Sequence, residues 1–371
     1  MAAAAMFARR TSVGVHCHVV LGQHMVRDFT HVAKARLKLL EDVYKPFKKF
    51  PRNSPEWIAL AESGRVWEDY HQPADSVKQG YIRLQEEHAS SLQEIDTLKD
   101  SMKFPASVIA KRLVAAYAHQ SVKIEDNRLK SGESIVIEDY LNSHYFKTID
   151  LKNLSSERLK DLALPDVSFL VPNVDRAQVV ELRNHLLASH WISETSLRHQ
   201  GTSGFGENEI RHLSALTMSG LAPGAHYPGI FGPKVKLGEY RQTPIGVQSN
   251  PMRVFPYHPE VPACMGRFFQ WRKKVHDEKR LHPLIIACQT VACFLHIHPF
   301  PDGNGRVSRM VMHDYLLRNG YAPIVFQPLE RKDYLRMIKN AQDGEPDEFV
   351  ARVVTTQLEM MYTFKMEEKS G

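Results

Sequence analysis

Only four of the 371 residues are cysteine, Cys17, Cys264, Cys288 and Cys293, and no two form a CxxC pair. At this length and spacing they do not read as a disulfide framework; they read as reduced, mostly buried thiols. No stretch approaches the roughly 18–20 apolar residues that a bilayer-crossing helix needs, so no membrane span is expected. No long block of Lys and Arg occurs. The net charge of +6 is spread along the chain, which gives no reason to expect a nucleic-acid partner and supports at most a mild preference for acidic or phosphate-bearing ligands. There is no GxxxxGK followed by Ser or Thr, no HExxH, and no internal period near 34 residues. What remains, 43% hydrophobic and 24% charged, is an ordinary globular composition, long enough for one large domain plus an extension.

Residues 1–28 carry Arg9, Arg10 and Arg27 and no acidic residue before Asp28. They read as a disordered tail or a targeting segment, with a cytoplasmic protein expected and a mitochondrial one as the alternative. Helical spacing follows at 26–47 (Val32, Leu37, Leu40, Val43) and at 76–103 (Ile82, Leu84, Leu92, Ile95, Leu98), predicting an N-terminal helical extension over 29–104. Phe104-Pro105 marks a boundary. The helix after it places Ile109, Leu113, Ala116 and Ile124 near one face. Residues 127–175 read as short helices and loops, 176–191 and 207–220 as helices. Residues 221–256 are rich in Gly and Pro, and Thr243–Val247 within them reads as a small strand or hairpin. Helical spacing dominates from 259 onward. The fold class expected is mainly α with one small β element.

The chemistry concentrates in HPFPDGNGRVSR, residues 298–309. An apolar helical run precedes it and another follows, so Asp302–Gly305 reads as a turn between two helices. Glycines on both sides of Asn304 let the backbone take positive φ and gather N–H groups at a helix N-terminus, which is an anion site. Arg306 and Arg309, three residues apart, share a face there and suit a polyphosphate. Asp302 offers a hard oxygen of the kind Mg²⁺ takes beside phosphate oxygens. His298 titrates near neutrality and can accept a proton. That is the inventory for phosphoryl or nucleotidyl transfer to a hydroxyl. A calcium loop would need an oxygen ligand at 300 and Glu at 311, where Phe300 and Val311 stand.

The segment resembles the signature of the Fic family, His-x-Phe-x-Asp/Glu-Gly-Asn-Gly-Arg-x-x-Arg, at every fixed position. GEYR at 238–241, HPL at 282–284, LLRNGYAP at 316–323 and ERKDYLRMIKNAQDGEP at 330–346 are similar to the family's surrounding layout. The resemblance implies the Fic/Fido helical fold with a small β-hairpin flap over residues 105–360, and leaves 361–371 as a C-terminal tail. It implies a protein adenylyltransferase that takes ATP and Mg²⁺ and moves AMP to a Ser, Thr or Tyr hydroxyl of a protein. His298 would be the base and Asp302 the metal ligand. Gly303, Asn304 and Gly305 would form the phosphate nest, with Arg306 and Arg309 as phosphate ligands. Ile245, Gly246 and Val247 would lie in the flap that aligns the target segment, and Tyr334, Leu335 and Gln342 near the adenine. Glycine at 305, where a phosphate-transferring relative has Lys, favours AMP as the group moved. Many relatives carry His seven residues before the base; Val291 stands there.

SVKIEDN at 121–127 resembles the family's inhibitory motif, Ser/Thr-x-x-x-Glu-Gly/Asn, with Asp126 departing from it. The resemblance implies that Glu125, ending a helix over about 105–127, pairs with Arg309 and competes with the γ-phosphate. Some relatives use the same Glu to remove AMP, and the family often forms homodimers. The alternatives are a catalytically silent nucleotide-binding module acting through partner contacts, or transfer of another phosphate-containing group.

Overall fold

The computed structural model describes residues 23–71, 75–221, 224–227, 233–247 and 250–370. The expected tail or targeting segment therefore lies outside the described residues up to position 22. From Gln23 onward that stretch is already helix. The chain is mainly α, as expected. Among the described residues there is no strand; the expected β element is reduced to two isolated antiparallel bridges, His226 with Lys236 and Val247 with Asn250.

The N-terminal part runs through α1 (Gln23–Val43), α2 (Pro55–Ser63), α3 (Arg65–His71), α4 (Asp75–Glu87) and α5 (Ala89–Ser101). Ser54 caps α2 by accepting from the Trp57 N–H at 3.2 Å, and Gly64, at φ 57, ends it. The single helix expected over 76–103 is two, parted at His88. Leu84, Leu92 and Ile95 are buried as their spacing predicts, whereas Ile82 is half exposed. Trp67, Tyr81, Leu84, Leu92 and Ile95 are buried in the same apolar cluster as the helices further along the chain. Phe47, Trp57, Ala61 and Val66 form a smaller cluster of their own.

The next helices are α6 (Ala106–Lys123), α7 (Ser131–Tyr140), α8 (Ser156–Lys160), α9 (Arg176–Thr195), α10 (Glu207–Met218), α11 (Val261–Glu278), α12 (Pro283–Ile297), α13 (Asn304–Arg318), α14 (Arg331–Gln342) and α15 (Asp347–Ser370). Helix α6 buries Ile109 as expected, but its main buried face is Ala110, Val114, Tyr117, Ala118 and Val122, turned from Leu113 and Ala116. That face packs along α9 and against α13.

Helix α13 is the centre of the fold. It packs on α6, α9, α10 and α12, and every residue from Arg306 to Arg318 is buried. A helix covered on all sides must satisfy its polar side chains internally. Asp314 does so by accepting from Arg318 Nε at 2.7 Å and from the Phe205 N–H at 2.9 Å. Phe300, fully buried below the start of α13, contributes about 1.5–3 kcal/mol by burial alone. The turn at 298–305 is thus mounted on a helix buried on every side.

Candidate active site

Helix α12 starts at His282, whose side chain accepts from the Leu284 N–H at 3.2 Å, with Pro283 in the first turn. It stops at His298, which takes a left-handed conformation, φ 52 and ψ 61. A non-glycine residue in that region is uncommon and costs energy. Here the strain turns the chain at the residue expected to be the base. The imidazole Nδ1 lies 3.2 Å from the Leu295 carbonyl, and the ring packs 4.9 Å from that of Phe255. With Nδ1–H donating to that carbonyl, Nε2 keeps its lone pair. Burial pushes the imidazole down to about 4, against the Leu295 contact, with the Arg241 charge adding to the fall. The ring is neutral at pH 7. Val291 is fully buried; the contacts that orient the imidazole are Leu295 and Phe255.

The turn is locked by Asn304. Its Oδ1 accepts from the Phe300 N–H at 2.9 Å and its Nδ2 donates to the Phe300 carbonyl at 2.8 Å. Gly303 precedes α13 at φ 78, where a Cβ would come within 3.3 Å of Met218 Sδ. Asp302 Oδ1 accepts from the Gly303 N–H at 2.7 Å and lies 3.9 Å from Arg306 Nη2. The Asp302 side chain is half exposed, and among the described residues its Oδ2 has no hydrogen-bond partner. No three His, Cys, Asp or Glu side chains of the described residues gather as a metal cage. One carboxylate beside a polyphosphate is a common way of holding Mg²⁺, and Asp302 fits it.

Both expected cations are buried and point at this turn's surroundings. Arg306 Nη1 lies 2.9 Å from Glu181 Oε1, and Nη2 contacts Met218 Sδ at 3.2 Å. Burial pushes the Glu181 carboxyl above its ordinary range in spite of Arg306 beside it. Arg309 donates from Nε to Ser121 Oγ at 2.6 Å, and from Nη2 to the Ser121 carbonyl and to Glu125 Oε1, each at 2.7 Å. Its Nη1 is buried with no partner among the described residues. The guanidinium sits 5.5 Å from the centre of the Tyr334 ring. Burial raises the Glu125 carboxyl, but Arg309 and Arg306 outweigh it and hold the group below its ordinary range, so it is ionised at pH 7.

Glu125 lies over the turn itself. A Cβ built on Gly305 would meet Glu125 Oε1 at 2.4 Å. The carboxylate therefore occupies the space above the start of α13, where an anion is favoured. Asp126 takes the left-handed position at the end of α6, φ 68. The Asn127 N–H bonds back to the Val122 carbonyl at 3.2 Å, so the helix end closes despite the Asp. The Asn127 side chain donates to Glu181 Oε2 at 2.8 Å and to the Gln178 carbonyl at 2.9 Å.

Residues 205–316 match the family model described as "Fic/DOC family". Over these residues the chain is similar to the Fic/DOC family. The protein adenylyltransferase Fic of Drosophila persimilis is 35% identical over 116 residues, 31% of this chain and 22% of that relative. The Drosophila melanogaster protein of the same name is 34% identical over 116 residues, 23% of its length. The match thus spans less than a quarter of these relatives. Among solved structures, Fic-1 of C. elegans aligns with a TM-score of 0.55 at 14% identity, covering 91% of this chain and 99% of that one. A Fic-domain signalling protein of Bacteroides thetaiotaomicron gives 0.53 at 17% identity, over 74% and 97%. At these identities the solved structures speak for the fold.

Other expected site residues fall as follows around the turn. Tyr334 lies beneath Arg309, and Leu335 is partly buried against the main core. Gln342 ends α14; Asp343 just beyond it pairs with Arg253 at 2.5 Å. Ile245, Gly246 and Val247 lie in the segment that returns to Phe255, the ring against His298. Arg241, Glu181, Asn127 and Ser121 were given no separate role by the sequence. Arg241 is buried and donates to the His298 carbonyl at 2.9 Å, to Thr243 at 3.2 Å and to Pro256 at 2.6 Å. It ties both ends of the 241–256 segment to the base. The only trace of this in sequence is the GEYR string.

Proposed function

We propose that this protein is an adenylyltransferase that moves AMP from ATP to a Ser, Thr or Tyr hydroxyl of a protein, and that Glu125 restrains it. The observation that carries the reading is the seat of Glu125: an ionised carboxylate bonded to Arg309 above Gly305, in the space where a phosphate would be held. A site that binds one anion between a guanidinium and a helix N-terminus is built to bind another. Gly305 leaves room for it.

In this reading Arg309, whose Nη1 has no partner among the described residues, and Arg306 clamp the terminal phosphates, and the N–H groups of Asn304 and Gly305, with that of Gly303 once it leaves Asp302 Oδ1, donate to their oxygens. Asp302 would hold Mg²⁺, which when bound neutralises phosphate charge and favours departure of pyrophosphate. The acceptor hydroxyl donates its proton to His298 Nε2 as its oxygen bonds to the α-phosphorus. The α–β P–O bond breaks and pyrophosphate leaves. Neutral His298 is able to take that proton at pH 7.

Two labelled nucleotides test it. With α-labelled ATP, protein should acquire label; with γ-labelled ATP it should not, and His298→Ala should abolish incorporation. Transfer of the γ label, or incorporation indifferent to His298, contradicts the reading.

A further inference from the structure

The segment from Arg241 to Phe255 has little backbone structure of its own. Among its described residues the only bridge is Val247–Asn250, with the Asn250 N–H 3.3 Å from the Val247 carbonyl, followed by one turn bond from the Arg253 N–H to the Asn250 carbonyl at 3.1 Å. A two-legged loop with one bridge is not self-supporting. Beyond Arg241 at its ends, side chains from the N-terminal part hold it. Arg36 of α1 donates from Nη2 to the Ile245 carbonyl on the incoming leg at 2.8 Å. Its Nη1 donates to the Arg253 carbonyl on the outgoing leg at 3.0 Å, and also to that of Pro251. The Tyr44 hydroxyl donates to the Phe255 carbonyl, and Trp67 Nε1 to the Val254 carbonyl at 3.1 Å. Gly246 permits the arrangement: a Cβ there would come within 3.1 Å of Arg36 Nη2.

We propose that Arg36 is a positioning residue for the transfer reaction. Its guanidinium joins the two legs of the 241–255 segment in place of a strand ladder, and so fixes where an acceptor chain lies relative to His298. The inference rests on the reading of Ile245–Val247 as the edge that receives the acceptor. The planar fork of Arg can bond carbonyls on both legs at once; the single ammonium of Lys cannot bridge them in the same way. Each carbonyl has two lone pairs, so Ile245 can accept from Arg36 and still accept from an incoming backbone N–H. The outgoing leg continues to Phe255, whose ring is 4.9 Å from the His298 imidazole, so a shift of that leg is felt at the base.

The test uses the full chain in a Glu125→Gly background, with a His298→Ala copy of the same chain as the acceptor probe. Arg36→Ala is expected to raise KM for the acceptor copy about tenfold while leaving KM for ATP within about twofold, and Arg36→Lys should not restore it. Hydrogen exchange is read in parallel, without nucleotide. Arg36→Ala should speed exchange of amides in 245–255 about tenfold and leave α12 and α13 unchanged. If no transfer occurs even with Arg36 intact, the adenylyltransferase reading fails, and the exchange arm still decides whether Arg36 holds the segment. Unchanged exchange at 245–255, exchange that rises equally in α12 and α13, an equal rise in both KM values, or full rescue by Lys overturns the proposal.

Discussion

Gly305 meets two demands at once. Without a Cβ it lets the Glu125 carboxylate approach the start of α13, and by the same absence it would let a phosphate approach. Gly305→Ala should therefore have an effect whose sign depends on its neighbour. In the native chain the methyl displaces Glu125 from Arg309, and stability should fall by about 1 kcal/mol, the scale of a partly exposed charge pair. In a Glu125→Gly background only the end of the Arg309 side chain, whose Nη1 lies 3.3 Å from such a Cβ, has to give, and Ala in a helix is favoured over Gly by up to ~1 kcal/mol, so the same change should be neutral or stabilising. A double-mutant cycle of urea unfolding measures this; equal effects in the two backgrounds contradict it. The turn around Gly305 was legible in the sequence because its parts are contiguous: twelve residues hold His298, Asp302, the glycines and both arginines. The Glu125–Arg309 contact spans 184 positions and was legible only through resemblance. Asn127, which holds the end of α6 in place, showed only as the last residue of SVKIEDN; Glu181, which holds Arg306, carries no local signal, since a buried Glu looks in sequence like a solvated one.

At the scale of elements, periodicity found helices and misjudged their faces. Helix α6 sits between α9 and α13 and is covered on more of its circumference than an amphipathic reading assumes, so Val114 and Tyr117 are buried while Leu113 is only partly so. The break at His88 has no Pro or Gly to announce it. Asp126 illustrates a sequence departure absorbed locally: Asp is among the few L-residues that accept left-handed φ, and its carboxylate also meets Arg331 at 3.2 Å. Within the 241–255 segment, Thr243–Val247 was read as a small strand or hairpin because β-capable residues stand in a stretch rich in Gly and Pro. Beyond Arg241 at its ends, its described residues are held by Arg36, Tyr44 and Trp67 instead of by a ladder. Those contacts cross 187 to 217 positions, a range at which isolated polar residues leave no pattern.

Across the whole molecule, the fold keeps several histidines neutral by burial. His71, His258 and His298 are each pushed down to about 4, His313 to about 3, and His185 and His296 well below the ordinary value. For such groups the unfolded chain binds protons that the folded one refuses, so stability present above an ordinary histidine pKa of about 6.5 is lost as pH falls toward 4. Burial of Glu260 and Asp314, pushed up to about 7 and about 6, and of Glu181, also raised, works in the opposite direction over the same range, but by three carboxyls against the six imidazoles. The urea midpoint should fall between about pH 7 and pH 5; a constant or rising midpoint contradicts the burial of these rings. No helix among the described residues is long and apolar enough to cross a membrane. On the proposed function Glu125, bonded to Arg309 above Gly305, stands where a nucleotide phosphate belongs. Incorporation of α-labelled ATP by the native chain and by Glu125→Gly, side by side, measures that directly. Release of Arg309 should raise incorporation by about tenfold or more; an unchanged or lower rate in Glu125→Gly, with the variant folded, would contradict it.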